Sequence, residues 1–222
     1  MLILALDAST PVVTVAVARA EDGKREVLAE ISVTARGASE ALLPAVHAAL
    51  DLAGEDLAAV ERVLAGTGPG TFTGIRIAAS TARAIALGTG AALAKNSTLA
   101  ALAAPVLSTV PDVLAVLDAK RGEVFVQRFD GSGPGEIICA KPEELSVEGE
   151  PLLVGDGAMR YRGALSRFGQ IPGDGSPLHR VTAGGHVLSA DLSPVEAGDL
   201  VPIYVRQPDA EVRRDLNPWS RP

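Results

Sequence analysis

Two short stretches carry residues able to hold a charged ligand. Asp7-Ala8-Ser9-Thr10 and Asp118-Ala119-Lys120-Arg121-Gly122 each place an aspartate at the end of an apolar run, followed by a polar turn. A carboxylate there can anchor a hydrated divalent cation, and the turn N–H groups can cradle phosphate oxygens. The first turn has Pro11 and no glycine, although such cradles ordinarily use glycine to let the backbone approach the anion. The same aspartates would also serve simply to end their strands and accept turn hydrogen bonds. A third stretch, Thr67-Gly68-Pro69-Gly70-Thr71, precedes a helical pattern. It reads either as an anion site at a helix start or as a tight turn in which Pro fixes φ and Gly supplies positive φ. The candidate cleft residues are therefore Asp7, Ser9, Thr10, Gly68, Gly70 and Asp118.

Other chemistries lack their residues. His47, His179 and His186 show no i, i+4 pairing and no Cys or carboxylate at ligand spacing, so no metal centre is expected. No serine sits in a Gly-x-Ser-x-Gly elbow, which leaves a peptidase reading without a site. Cys139 is the sole cysteine, so an intramolecular disulfide is excluded. The net charge of −7, with no basic run longer than a pair such as Arg213-Arg214, makes a poor stand-alone RNA binder. The apolar start Met1–Leu6 has no basic leader and ends at Asp7, too short for a signal or a membrane span. A cytoplasmic protein with no membrane segment is expected.

The elements that must position these residues follow from the pattern. Residues 2–7 and 12–19 read as a hairpin and Val27–Thr34 as a third strand. Ser39 reads as the N-cap of a helix over Glu40–Ala53, ended by Gly54, with Leu42, Leu43, Val46 and Leu50 at helical spacing. A strand over Val63–Gly66 leads through the glycine loop into a helix over Phe72–Leu87, ended by Gly88. Residues 98–104 read as a short helix, and Pro105–Pro111 as the crossing into a second lobe. With only 3% aromatic residues, the core must be built from Ala, Val, Leu and Ile.

Half a chain length after Leu6-Asp7-Ala8, the triplet returns as Leu117-Asp118-Ala119, and Val124-Phe125-Val126 falls on Val13-Thr14-Val15. Leu153-Val154-Gly155-Asp156-Gly157 echoes Leu64-Ala65-Gly66-Thr67-Gly68 at a shorter offset, so the second half lacks one helix, the counterpart of Glu40–Ala53. Two duplicated lobes, each opening with a hairpin that carries Asp at its first strand end, are the layout of actin-like phosphotransferases. The expected fold is therefore α/β, actin-like (ribonuclease H-like), with duplicated lobes of mixed central sheets flanked by helices. The lobes are 1–104 and 105–210, with 211–222 a tail expected to lack fixed structure. An ATP-dependent phosphotransferase using Asp7 and Asp118 is the alternative activity.

The two first-lobe helices are apolar nearly all round. In Phe72–Leu87 only Arg76 and Arg83 are charged, on one stripe, and Ala41, Ala45 and Ala48 fill the gaps of the other helix. Such helices are buried on more than one side, either within the lobe or by a partner.

Together Leu4–Thr10, Ser39–Pro44, Gly66–Arg76, Val116–Phe125, Leu153–Ala158 and Pro202–Arg206 resemble the TsaB (YeaZ) family, most specifically over Gly66–Arg76. The resemblance extends to about Ala210. It departs at Ala38, where the family usually has His, and around Lys95-Asn96-Ser97, a short helical stretch atypical of it. It implies a non-catalytic scaffold, without cofactor, for the synthesis of threonylcarbamoyladenosine on tRNA. Such a scaffold binds and activates the catalytic paralogue TsaD through the two first-lobe helices, with TsaE joining the assembly and tRNA reached only through the complex. The metal-binding histidine pair of TsaD has no counterpart here. The expected partner surface is Leu43, His47, Leu50, Ile75, Ala79, Ala82 and Arg83, which in isolation would bury itself in a homodimer.

Overall fold

A computed structural model describes residues 1–34 and 37–205. Strand β1 (Leu2–Asp7) is buried along its whole length, as a central strand covered on both faces must be. It pairs antiparallel with β2 (Val12–Glu21), which pairs with the edge strand β3 (Lys24–Thr34). Helix α1 (Ala38–Ala53) follows, then β4 (Arg62–Gly66), parallel to β1. Helix α2 (Phe72–Thr89) leads to β5 (Ala92–Asn96), parallel to β4. The first sheet has the order β3-β2-β1-β4-β5.

Helix α3 (Thr98–Leu107) connects to a second sheet made of β6 (Val113–Lys120), β7 (Glu123–Asp130), the short β8 (Gly133–Pro134) and β9 (Ile138–Ala140), and β10 (Leu152–Val154). Its order is β10-β6-β7-β8, with β9 also on β7, and β10 runs parallel to β6. This repeats the β3-β2-β1-β4 part of the first sheet, with β8 and β9 sharing the place of β3 and no counterpart of β5. Between β9 and β10 only a 3-10 turn over Pro142–Glu144 stands where α1 stands in the first half, so the missing helix is the one expected. Short helices α4 (Asp156–Arg160) and α5 (Arg162–Leu165) follow. Helix α6 (Ala183–Ser189) then returns to the first sheet.

The first sheet is thus packed on both faces. Leu4, Leu6, Val15, Val17 and Val63 meet Leu42, Val46, Ala78 and Ala82 of α1 and α2, while Ile3, Ala5, Ala16, Ala18 and Leu64 meet Ala183 and Val187 of α6.

Four sequence expectations are corrected. Ser39 does not cap α1: the helix begins at Ala38, extended Gly37 takes the cap position, and no side chain bonds the first turn. Gly88 does not stop α2, which runs on to Gly90, whose left-handed φ of 78° ends it. The stretch around Lys95 is strand rather than helix, because Leu93 and Ala94 are buried beside β4. Helix α3 passes through Pro105, which has no N–H to give the Ala101 carbonyl. Gly185 of α6 packs on that carbonyl, where a Cβ would lie 2.2 Å from the oxygen. The tail 211–222 and the end of the second lobe from Arg206 lie outside the described residues.

Candidate functional site

Asp7 ends β1 with its carboxylate 1% exposed. Oδ1 accepts the Ser9 N–H. Oδ2 accepts the Thr98 hydroxyl at 3.0 Å and His186 Nε2 at 2.7 Å. Because Thr98 spends its proton on Asp7, the Ser9 hydroxyl, 2.9 Å away, donates to Thr98. On the far side of the imidazole, Asn96 Nδ2 lies 3.3 Å from His186 Nδ1 and 2.7 Å from Ser189 Oγ. An amide donating to both leaves the imidazole its proton on Nε2, aimed at Asp7. Burial pushes the Asp7 carboxyl up, but the hydrogen bond from His186, the imidazole's charge when protonated and the Ser9 N–H outweigh it, and the net direction is down.

The turn after Asp7 and the glycine loop lean on each other. The Ser9 carbonyl accepts the Thr71 N–H at 2.6 Å, and the Gly68 carbonyl accepts the Thr98 N–H at 2.8 Å. A Cβ on Gly70 would lie 2.3 Å from the Ser9 oxygen, and one on Gly74 1.8 Å from the Ala8 oxygen. These glycines are needed for backbone to meet backbone. Thr10 stays local, its hydroxyl facing the Val12 backbone. The structure therefore brings Asp7, Ser9, Gly68 and Gly70 together, but as a packed junction. The residues do not fit a hydrated cation at Asp7, whose oxygens both accept protein donors.

Asp118 belongs to a different cluster. Its Oδ1 accepts the Lys120 N–H at 2.9 Å, its Oδ2 lies 2.8 Å from Lys120 Nζ and 3.6 Å from Arg160, and its own N–H donates to Asp156. Some burial pushes its carboxyl up, and the Lys120 contacts and Arg160 more than reverse this. Burial and the neighbouring Asp118 push Asp156 up, against the backbone N–H that Asp118 gives it.

The expected partner surface divides. Leu43, at 50% exposure, and His47 face outward from α1. Leu50, Ile75, Ala79 and Ala82 are buried, with Leu50, Ala79 and Ala82 in the core that α1 and α2 share with the sheet. The chain's own packing covers all four, because the small side chains of these helices let them press close onto the sheet. Arg83 is half-buried and donates to the Ala197 and Leu200 carbonyls at 2.9 and 2.8 Å. Lys95 Nζ reaches the Asp199 carbonyl at 3.0 Å, and Arg76 stacks 3.6 Å above the Phe72 ring while donating to the Tyr204 hydroxyl. The basic stripe of α2, with Lys95 of β5, thus holds the chain's own segment 197–204.

What α1 and α2 leave open lies on their outer side. A groove of about 530 Å³ runs between them, lined by Leu43, Leu57, Ser80, Ala84, Ile85 and Gly88 among others. Leu52 at 72% and Leu87 at 89% exposure mark the C-terminal ends of the two helices. Thr98, Asn96 and His186 were invisible as site residues in the sequence because nothing local marks them; the groove was announced by the apolar circumference of both helices.

Residues 30–140 match the family model described as TsaD: tRNA N6-adenosine threonylcarbamoyltransferase. The chain is 35% identical to a protein of Mycobacterium tuberculosis over 94% of this chain and 93% of that one. It is 30% identical to the tRNA threonylcarbamoyladenosine biosynthesis protein TsaB of Escherichia coli, over 80% of this chain and 81% of the relative. The solved structure of YeaZ from Pseudomonas aeruginosa superposes with a TM-score of 0.71 at 28% identity, covering 91% of this chain and 99% of the other.

Proposed function

The chain belongs to the TsaB (YeaZ) family, and from that premise we propose that it is the non-catalytic subunit that docks on TsaD and activates it, together with TsaE. It takes part in the synthesis of threonylcarbamoyladenosine on tRNA. The observation that carries the docking reading is the open apolar face of α1 and α2. An apolar groove that holds Leu43 at 50% exposure, with Leu87 at 89% exposure on the neighbouring stretch of α2, is costly to leave in water. Of the residues expected at the interface, Leu43 and His47 remain in the proposal, joined by Ala84 and Leu87; the buried four and Arg83 drop out.

The non-catalytic reading is supported by Asp7, whose oxygens both face protein donors. The net charge of −7 favours tRNA contact through the complex rather than through this chain alone. No described helix is long and apolar enough to cross a membrane, and we place the protein in the cytoplasm. In isolation the same face would pair two copies, which concentration-dependent mass by light scattering detects.

The test is co-purification with TsaD. Leu87→Lys and Leu43→Lys alter exposed side chains, so the fold should survive while TsaD recovery falls about tenfold or more, as for central apolar interface residues. Undiminished recovery by folded variants would remove this face from the interface.

A further inference from the structure

Helix α6 brings one fully buried ionisable side chain, His186, onto the carboxylate that the actin-like layout would use for a hydrated cation. The two residues are 179 positions apart in sequence, and their contact ties the end of β1 to a helix from the far half of the chain. The seat is built on every side. Asn96 of β5, itself held by Ser189 of the same helix α6, meets the imidazole's other edge, Thr98 at the start of α3 completes Oδ2, and Gly185 lets α6 press against α3.

We infer that His186 takes the place of the hydrated cation, so that the clasp His186–Asp7–Thr98–Ser9 fixes α6 on the first sheet without metal or nucleotide. The physical reason is occupancy. A cation at Asp7 needs free carboxylate lone pairs and room for its waters, whereas Oδ1 and Oδ2 together accept three protein donors. The imidazole N–H supplies the donor that a metal-bound water would supply in a cation-dependent relative. Removing it leaves a carboxylate buried without that partner, which is strongly destabilising. The clasp joins the α6 face of the sheet, opposite the face that carries α1 and α2, so its test does not depend on partner docking.

The experiment is thermal unfolding of the full chain. His186→Ala should melt roughly 5–15 °C below the parent, given the cost of breaking a buried pair in a domain of this size. Added imidazole should return part of that loss by filling the vacated seat, with no effect on the parent or on the Asp7→Asn/His186→Ala double variant. Should His186→Ala fail to fold, His186→Gln keeps a donor toward Asp7 and should melt between the parent and Asp7→Asn. Magnesium with ATP, and manganese alone, should leave the parent's melting temperature unchanged. The inference is overturned if Mg-ATP raises the parent's melting temperature and Asp7→Asn abolishes the rise. It is equally overturned if imidazole fails to rescue a folded His186→Ala, or if Asp7→Asn costs no stability.

Discussion

At the scale of single residues, charge and close approach give opposite outcomes for residue types that look alike in sequence. Asp7 is a buried acid and Asp156 a partly buried one. Asp7 gives up its proton more readily in the folded state, so its stabilisation is complete above the ordinary carboxylate value of 3.8 and is lost as pH falls below that through its lower folded value. Asp7→Asn should therefore flatten the acid limb of the stability curve, read as the acid-unfolding midpoint. Asp156 behaves in reverse: its carboxyl is pushed up, so the native state loses stability as pH rises from 3.8 through the higher folded value. Asp156→Asn keeps an oxygen for the Asp118 N–H and removes the charge. It should melt higher than the parent at neutral pH, with the gain gone below pH 3.8. Two helical glycines separate as cleanly. Gly→Ala in a helix ordinarily gains up to about 1 kcal/mol, and Gly88, with open space around it, should show that gain in denaturant unfolding. At Gly74 the Ala8 oxygen stands 1.8 Å from the new Cβ, and overpacking of about 1–3 kcal/mol should win. Asp7 was legible as special from its place at a strand end. Its partner was not, because a contact across 179 residues leaves no local pattern.

At the scale of elements, periodicity was informative where burial is one-sided and misleading where it is not. The hairpin β1–β2, strand β4 and the cores of α1 and α2 stand where the apolar spacing puts them. Strand β5 was missed because Ala-Leu-Ala carries no strand preference of its own; its pairing with β4 is a tertiary effect. The outward face of α2 was misjudged because an all-round apolar helix does not say which side meets the sheet, and Ile75, Ala79 and Ala82 turned inward. The same ambiguity hid α6, seven residues with two glycines that read as no core element at all. Yet α6 closes one face of the first sheet, and Leu200, fully buried among the α1–α2 core, helps close the other. We propose the lobes 1–104 and 105–210 as halves by descent rather than as units that fold alone. Residues 1–104 expressed by themselves would expose Ile3, Ala16, Ala18 and Leu64, and circular dichroism with amide exchange should find them unfolded or aggregated. A soluble, protected fragment would contradict this.

At the scale of the whole molecule, an actin-like fold encloses Asp7 among protein donors at the end of β1 and leaves an apolar groove open on the outer side of α1 and α2. The duplicated strand order was readable from the returning Leu-Asp-Ala triplet, and the surface from helix composition. Which residues of that surface are open was not, since it depends on how far small side chains let each helix sink. The measurement that bears most directly on the proposed function is the dissociation constant for TsaD, taken by titration calorimetry on the parent and on Ala84→Arg. Residue 84 is exposed and lines the groove, so the arginine should leave the melting temperature within a degree or two while weakening TsaD binding by about 30-fold or more, the cost expected of disrupting an interface centre. An unchanged dissociation constant for a folded Ala84→Arg protein would contradict docking through this face.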